Sequence, residues 1–203
     1  MPNRLLSIVL TTALAALAGL SGGCAATLPE VPDTRLGRAL AQHQTACEWG
    51  RGGECFAAGL SYEQAGGVPR DPVAAAPWYA QGCDAKDAAS CARLAGLLMT
   101  GIPGETHLDP PKLPPAPDRA LSLLRRACDQ GQNAEACLRL AEAYDRGEFI
   151  VPDPAEAYAL MRQAVAIDWP ACEAGHGPAC ARLANSFRDG LGITADTRAS
   201  VRM

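Results

Sequence analysis

Apolar and small residues recur at helical spacing in four segments of this chain, each beginning at a cysteine. When the segments are aligned on Cys55, Cys91, Cys137 and Cys180, the third position after the cysteine is apolar, the fourth is small and the seventh is large. These residues are Ala58, Gly59 and Tyr62, then Leu94, Ala95 and Leu98, then Leu140, Ala141 and Tyr144, then Leu183, Ala184 and Phe187. Because positions 0, 3, 4 and 7 share one face of an α-helix, the pattern predicts four amphipathic helices.

Stop and start signals follow each of these helices. The tenth position after the cysteine is occupied by Ala65, Gly101, Gly147 and Gly190. Glycine there ends a helix, because it adopts left-handed backbone angles at little cost. Six positions further on, Asp71 and Asp153 each precede a proline, and Asp196 takes the same place in the last unit. An N-cap acceptor followed by proline starts a second helix.

The sequence therefore predicts a chain of antiparallel helix hairpins. A single hairpin cannot bury both of its faces, so successive hairpins are expected to stack as a right-handed α-solenoid, or superhelix, in an all-α protein. Residues 102–117 interrupt the pattern with a proline-rich loop, which predicts an extended and exposed spacer. Pro77 is expected to bend its helix unless that helix starts late. Residues 165–171 leave two alternatives, a helix that runs long until Pro170 or a short extra turn.

Eight of the nine cysteines form four pairs with seven or eight residues between the partners. In a straight helix, eight residues would separate two Cα atoms by about 12 Å, whereas a disulfide requires about 4.4–6.8 Å. If the partners are bonded, the chain must therefore reverse between them, and the recurrence of one spacing favours local pairing. The predicted disulfides are Cys47–Cys55, Cys83–Cys91, Cys128–Cys137 and Cys172–Cys180.

A zinc site is the weaker alternative for these cysteines. Structural zinc sites use cysteines about two to four residues apart, which this spacing does not match. The three histidines, His43, His107 and His176, are 64 and 69 residues apart. Redox-active cysteines are a further alternative, but the chain contains no Cys-x-x-Cys sequence. We therefore predict no metal site and no cofactor.

The first 24 residues predict export. A nearly unbroken apolar stretch at residues 5–20 leads through small residues to Cys24. The segment resembles a bacterial lipoprotein signal, in which the cysteine is lipidated, although Ser21 stands where that family prefers leucine. We predict a signal peptide over residues 1–23, lipid on Cys24 and a linker over residues 24–35. Ordinary secretion and a retained membrane helix are the alternatives.

Each of these alternatives places the rest of the chain in an oxidising compartment, where disulfides persist. The predicted location is the bacterial cell envelope, on the periplasmic side or as an outer-membrane lipoprotein, with secretion as the alternative. Contact with the membrane is expected only through the N-terminal lipid. The formal net charge of −4 argues against nucleic acid as a partner.

The repeated motifs resemble the Sel1-like repeat family, a relative of the tetratricopeptide repeats. Residues 55–83 follow that family's pattern of Leu-Gly, Tyr, Gly-x-Gly-Val, Asp, Ala and Trp-Tyr, in the sequence CFAAGLSYEQAGGVPRDPVAAAPWYAQGC. The paired cysteines resemble the cysteine-rich secreted subgroup, the Helicobacter cysteine-rich protein type. There a disulfide links the second helix of one repeat to the first helix of the next. The resemblance implies a repeat array over residues 36–203, with about three and a half repeats.

A repeat fold without an assembled active site favours a non-catalytic scaffold for protein–protein interaction, and the resemblance implies penicillin binding or weak β-lactamase activity as the alternative. A serine β-lactamase needs a serine three residues before a lysine, together with SDN and KTG motifs. In this chain, Cys83 precedes Lys86 and Asp109 precedes Lys112 at that spacing, and neither motif occurs. We therefore predict no catalytic residue.

Three arginines are the candidate binding residues. Arg93, Arg139 and Arg182 each stand two positions after an aligned cysteine. In a stacked array they would form a column, and guanidinium groups at repeat spacing could bind carboxylates or phosphates of a protein or peptide partner. The alternative is that each arginine pairs locally, for example Arg139 with Glu142, or faces water. The protein itself is expected to be monomeric.

Overall fold

The structure is a computed structural model that describes residues 34–106, 109–131 and 133–189. Within these residues it contains α1 (Arg35–Glu48), α2 (Gly52–Glu63), α3 (Pro72–Asp84), α4 (Ala88–Thr100), α5 (Pro117–Asp129), α6 (Ala134–Arg146), α7 (Pro154–Glu173) and α8 (Gly177–Asp189). The predicted signal peptide, Cys24 and nearly all of the linker lie outside the described residues, as do His107, Gly190 and Asp196. The all-α prediction is confirmed. In the described part of the chain, no helix is both long and apolar enough to span a membrane.

The helices form the predicted stack of hairpins. The most extensively packed pairs are α2–α3, α4–α5 and α6–α7, which are the three complete hairpins. The pairs α1–α2, α3–α4, α5–α6 and α7–α8 join these hairpins to their neighbours. The described array therefore begins with the second helix of one unit and ends with the first helix of another.

Helix starts and stops lie where the signals predict them. The Asp71 Oδ1 atom accepts hydrogen bonds from the backbone N–H groups of Val73 and Ala74, both at 3.0 Å. Asp153 caps α7 in the same way. At the C-terminal ends, Gly101 and Gly147 have φ angles of +68° and +66°. The hydrogen bonds to the two aspartates satisfy backbone N–H groups that the helix N-termini would otherwise leave unpaired.

Most of the predicted core positions are buried, whereas Tyr144, Ala184 and Phe187 are only partly buried. Gly59 shows why one of them is small, since a Cβ atom there would lie 2.6 Å from the Tyr79 ring. Ala95 and Ala141, at the same repeat position, are also buried. The large side chains that fill this core include Leu40, Tyr62, Tyr79, Leu124, Leu140, Leu160 and Leu183.

Both prolines inside predicted helices are accommodated. Helix α3 begins at Pro72 and continues through Pro77, so the alternative of a late start is wrong. Helix α7 is 20 residues long, which confirms the long helix over the extra turn. It does not end at Pro170 but continues to Glu173. A proline in the last turn removes only one backbone hydrogen bond, so the turn can still close around it.

The proline-rich loop between α4 and α5 is exposed along most of its described length, as predicted. It is nevertheless held at its base. Ile102 and Leu113 exchange two backbone hydrogen bonds, of 2.7 and 3.1 Å, in an isolated antiparallel bridge. Leu113 also packs against the core. The loop therefore leaves the stack of helices and returns to it at nearly the same point.

Candidate binding groove

Four disulfides hold the junctions between hairpins. The bridges are Cys47–Cys55, Cys83–Cys91, Cys128–Cys137 and Cys172–Cys180, with Cα–Cα distances of 4.6, 4.6, 4.8 and 4.7 Å. Each joins the end of one helix to the first part of the next, which confirms the predicted local bridging. Because these sulfurs are bonded to each other, they carry no thiolate for a metal ion, and the zinc alternative is wrong for them.

A second periodic contact, which the sequence analysis missed, supports the same junctions. The side-chain amides of Gln81 and Gln163 donate to the carbonyl oxygens of Cys47 and Cys128, each over 3.3 Å. Arg126 donates to the Cys83 carbonyl in the same way. The three donors stand ten residues after the N-cap of their helix. The recurrence of these three polar residues was visible in the sequence, but the carbonyl groups that accept their hydrogen bonds lie 34 to 43 residues away.

The first helices of the hairpins line a groove on one side of the stack. Three depressions in this surface meet at Arg139, and the largest has a volume of about 590 Å³. We call this surface the α4–α6–α8 groove. Its lining includes Ala92, Arg93 and Gly96 of α4, Glu135, Leu138, Arg139 and Glu142 of α6, Met161 of α7, and Arg182, Asn185 and Ser186 of α8. Arg139 lines all three depressions, while Arg93 lines one of them and Arg182 another.

Arg182 forms an ion pair with a buried carboxylate. Its Nε and Nη2 atoms donate to the two carboxylate oxygens of Asp168, over 2.8 and 2.6 Å. Asp168 is only 2% exposed and lies in the last third of α7. The hydrogen bond to Asp168 raises the pKa of Arg182. This pair ties α7 to α8, so Arg182 is a structural residue of the groove wall.

Arg93 and Arg139 form exposed ion pairs. Arg93 Nη1 lies 3.5 Å from a carboxylate oxygen of Glu63, whose other oxygen accepts a 2.5 Å hydrogen bond from the Tyr79 hydroxyl. Burial, followed by this hydrogen bond, raises the pKa of Tyr79, so the phenol stays protonated and donates. Arg139 Nε donates to Glu135 over 2.9 Å.

The local-pairing alternative therefore describes Arg139, although with a different partner, whereas Arg93 and Arg182 pair with acids 30 and 14 residues away in the sequence. Glu142, the partner named from the sequence, instead pairs with Arg146 at 2.8 Å. The Arg139 guanidinium lies against α4, since a Cβ on Gly96 would be 3.1 Å from its Nη1 atom. An exposed pair such as Arg139–Glu135 contributes only about 0–1 kcal/mol, so an incoming carboxylate can replace Glu135 at low cost. Glu63 is more buried, but the guanidinium of Arg93 beside it is 44% exposed and can be reached by a partner.

The groove combines these exchangeable charges with an apolar floor. Leu138 and Met161 are half-buried between the charged rows. Acidic side chains alternate with the arginines, so the surface offers donors and acceptors at short intervals. Such a lining suits a segment that presents both apolar and polar side chains, as protein interfaces do.

Stacked helix hairpins with bridged junctions define this chain as a helical-repeat solenoid. The Sel1 repeat profile matches residues 39–87, 88–132, 134–166 and 177–203, which is more than half of the chain. The protein therefore belongs to the Sel1 repeat family. Arrays of this family generally mediate protein–protein interactions.

Two solved structures share the fold. A Sel1 repeat protein from Oxalobacter formigenes matches with 24% identity and a TM-score of 0.56, over 80% of this chain and 58% of its own. A protective antigen of uropathogenic Escherichia coli strains, which displays an SLR fold, matches with 18% identity and a TM-score of 0.51. That match covers 80% of this chain and 39% of the antigen. The present chain thus spans less than two thirds of either protein. A comparison with proteins of curated function found no match.

Proposed function

We propose that this protein is an exported, lipid-anchored and non-catalytic scaffold of the bacterial cell envelope. Its α4–α6–α8 groove binds a segment of another protein. The observation that carries the proposal is that Arg139 lines all three depressions, which together draw on residues of α4, α6 and α8. Membership of the Sel1 repeat family supports it, because these arrays generally bind proteins.

The proposed location rests on two features. Four disulfides are typical of proteins that work outside the cytoplasm, where the redox environment keeps such bridges oxidised. The N-terminal 1–23 segment has the composition of a signal peptide, and Cys24 is placed for lipid attachment. We infer a linker over residues 24–35 and a monomeric array over residues 36–203, with secretion as the alternative to lipid anchoring.

In the groove, the proposed binding residues are Arg93 and Arg139. Both are about half-exposed and carry exchangeable partners, whereas the Asp168–Arg182 pair is held in place. A partner carboxylate near Arg139 would replace Glu135, while apolar side chains of the partner would cover Leu138 and Met161. The penicillin-related alternative is not favoured by any feature of this groove.

The proposal is tested by site-specific photocrosslinking in cells that express the full chain. A photoreactive residue at Leu138 should capture one defined envelope protein, and the same residue at the exposed position Ser122 of α5 should not. The double substitution Arg93→Ala/Arg139→Ala should then weaken binding of that protein about tenfold, since two charge contacts are lost. Equal capture from both positions, or unchanged affinity of the double variant, would exclude the groove as the binding surface.

A further inference from the structure

The four disulfides differ in their access to solvent. The six cysteines of the first three bridges are at most 2% exposed. Cys172 and Cys180 are only partly buried, and the six residues 173–178 between the two helices are all exposed. An attacking thiolate must reach a sulfur atom along the S–S axis, so access is a direct determinant of the rate of exchange.

The surface of α8 beside the bridge is also more exposed than the equivalent surface of the preceding units. In α4 the residue after the aligned cysteine is Ala92, which is 7% exposed, and in α6 it is Leu138, which is partly buried. The equivalent Ala181 of α8 is exposed. Among the described helices, α8 packs extensively only against α7.

We propose that the Cys172–Cys180 bridge is a thiol–disulfide exchange site, which an external dithiol reduces while the other three bridges stay intact. The thiolate of the dithiol attacks one sulfur of the bridge, the S–S bond breaks, and a mixed disulfide forms as the other cysteine leaves as a thiolate. The second thiolate of the dithiol then displaces the remaining protein sulfur. Two electrons pass to the protein, both cysteines take up protons, and the dithiol becomes a disulfide.

Reduction at this bridge would also alter the groove, an inference that rests on the proposed function. Helix α8 supplies Arg182, Asn185 and Ser186 to the groove wall. Without the bridge, α8 is held by its buried residues, by the Asp168–Arg182 pair and by the contact between the Trp169 and Phe187 rings at 6.1 Å. The reduced protein therefore keeps α8 in place for a smaller fraction of the time.

The exchange site is tested without any binding partner. The oxidised full chain is incubated with dithiothreitol under native conditions, samples are blocked with iodoacetamide over time, and each cysteine peptide is quantified by mass spectrometry. Cys172 and Cys180 should be labelled at least about tenfold faster than the other six bridged cysteines. Labelling of another pair first, or of all four pairs at one rate, would overturn the proposal.

A variant measures the effect on α8. In Cys172→Ser/Cys180→Ser, amide hydrogen exchange should accelerate within residues 177–189 and stay unchanged within α4, whose Cys83–Cys91 bridge remains. Unchanged exchange in α8 would show that the bridge does not hold the groove wall. A chain that passes both tests but captures no partner at Leu138 would retain the exchange site and lose the proposed binding function.

Discussion

At Ser90, close packing of α3 against α4 leaves a polar atom without a partner. The side chain is fully buried, and its Oγ atom makes no hydrogen bond to the described residues. A Cβ on the facing Gly82 would lie 2.3 Å from this atom, so no larger residue fits opposite it. An unsatisfied buried hydroxyl lowers the stability of the folded state.

The substitution Ser90→Ala should therefore stabilise the protein by about 1 kcal/mol, because it removes the unpaired hydroxyl and keeps the volume almost unchanged. Urea denaturation of the oxidised chain measures this effect. Ser122→Ala is the control, since the Ser122 hydroxyl is exposed and donates to the Arg119 carbonyl over 2.8 Å. A loss of stability in Ser90→Ala would show that the hydroxyl does find a partner.

Ala65 has a positive φ angle at a repeat position where the two following units have glycine. Its φ angle is +60°, close to the values of Gly101 and Gly147. A Cβ atom in this region costs roughly 1–2 kcal/mol, and the greater flexibility of glycine in the unfolded chain offsets part of the gain. Ala65→Gly should therefore raise the free energy of unfolding by about 1 kcal/mol.

The reverse substitution at the equivalent site provides the comparison. Gly147→Ala should destabilise the protein by about 2 kcal/mol or more, since the new Cβ meets unfavourable backbone angles and would also lie 2.5 Å from a Pro152 carbon. Thermal unfolding of both variants should shift the melting temperature in opposite directions. A shift of the same sign in both would contradict this account of the repeat position.

At the scale of the helices, the side-chain contacts to the cysteine carbonyls link each second helix to the preceding one. Gln81→Ala should cost about 1 kcal/mol, because it removes one hydrogen bond to the end of α1. Gln81→Arg should retain most of the stability, since Arg126 makes the same contact at the equivalent position. Equal losses in the two variants, measured by urea denaturation, would show that the contact contributes nothing.

The extended C-terminal part of α7 places Asp168 where Arg182 of α8 can reach it. Removing one partner of a buried ion pair leaves an uncompensated charge, so Arg182→Ala should destabilise the protein by about 3 kcal/mol. Arg93→Ala should cost less than about 1 kcal/mol, since its pair with Glu63 is exposed. A combined substitution of all three arginines would therefore confound loss of binding with loss of structure. Similar unfolding free energies for the two single variants would contradict this distinction.

At the scale of the whole molecule, the proposed export and the four disulfides are tested together. The mature protein should carry lipid on Cys24 and no free thiol at its other eight cysteines, because an oxidising compartment maintains the bridges. Mass spectrometry of the protein purified from membranes, with thiol labelling before reduction, tests both features. Several labelled cysteines, or a Cys24 without lipid, would refute the corresponding part of the prediction.

Most of the architecture was readable from residues close to one another in the sequence. Helical spacing, the Asp-Pro starts and the glycine stops are set by interactions within about four residues. The disulfides join cysteines eight or nine residues apart, so their recurrence was also a local signal. These features determined the hairpins, the repeat family and the junctions.

The partners of the candidate binding residues were decided by the tertiary structure. Glu63 is 30 residues from Arg93, and Asp168 is 14 residues from Arg182. Arg139 had two acids at helical spacing, and in the folded chain it pairs with Glu135 while Glu142 pairs with Arg146. The unequal exposure of the four bridges is likewise a property of the folded chain and has no counterpart in the cysteine spacing. Local patterns specify the elements, but contacts between distant residues exist only once the stack has brought their helices together.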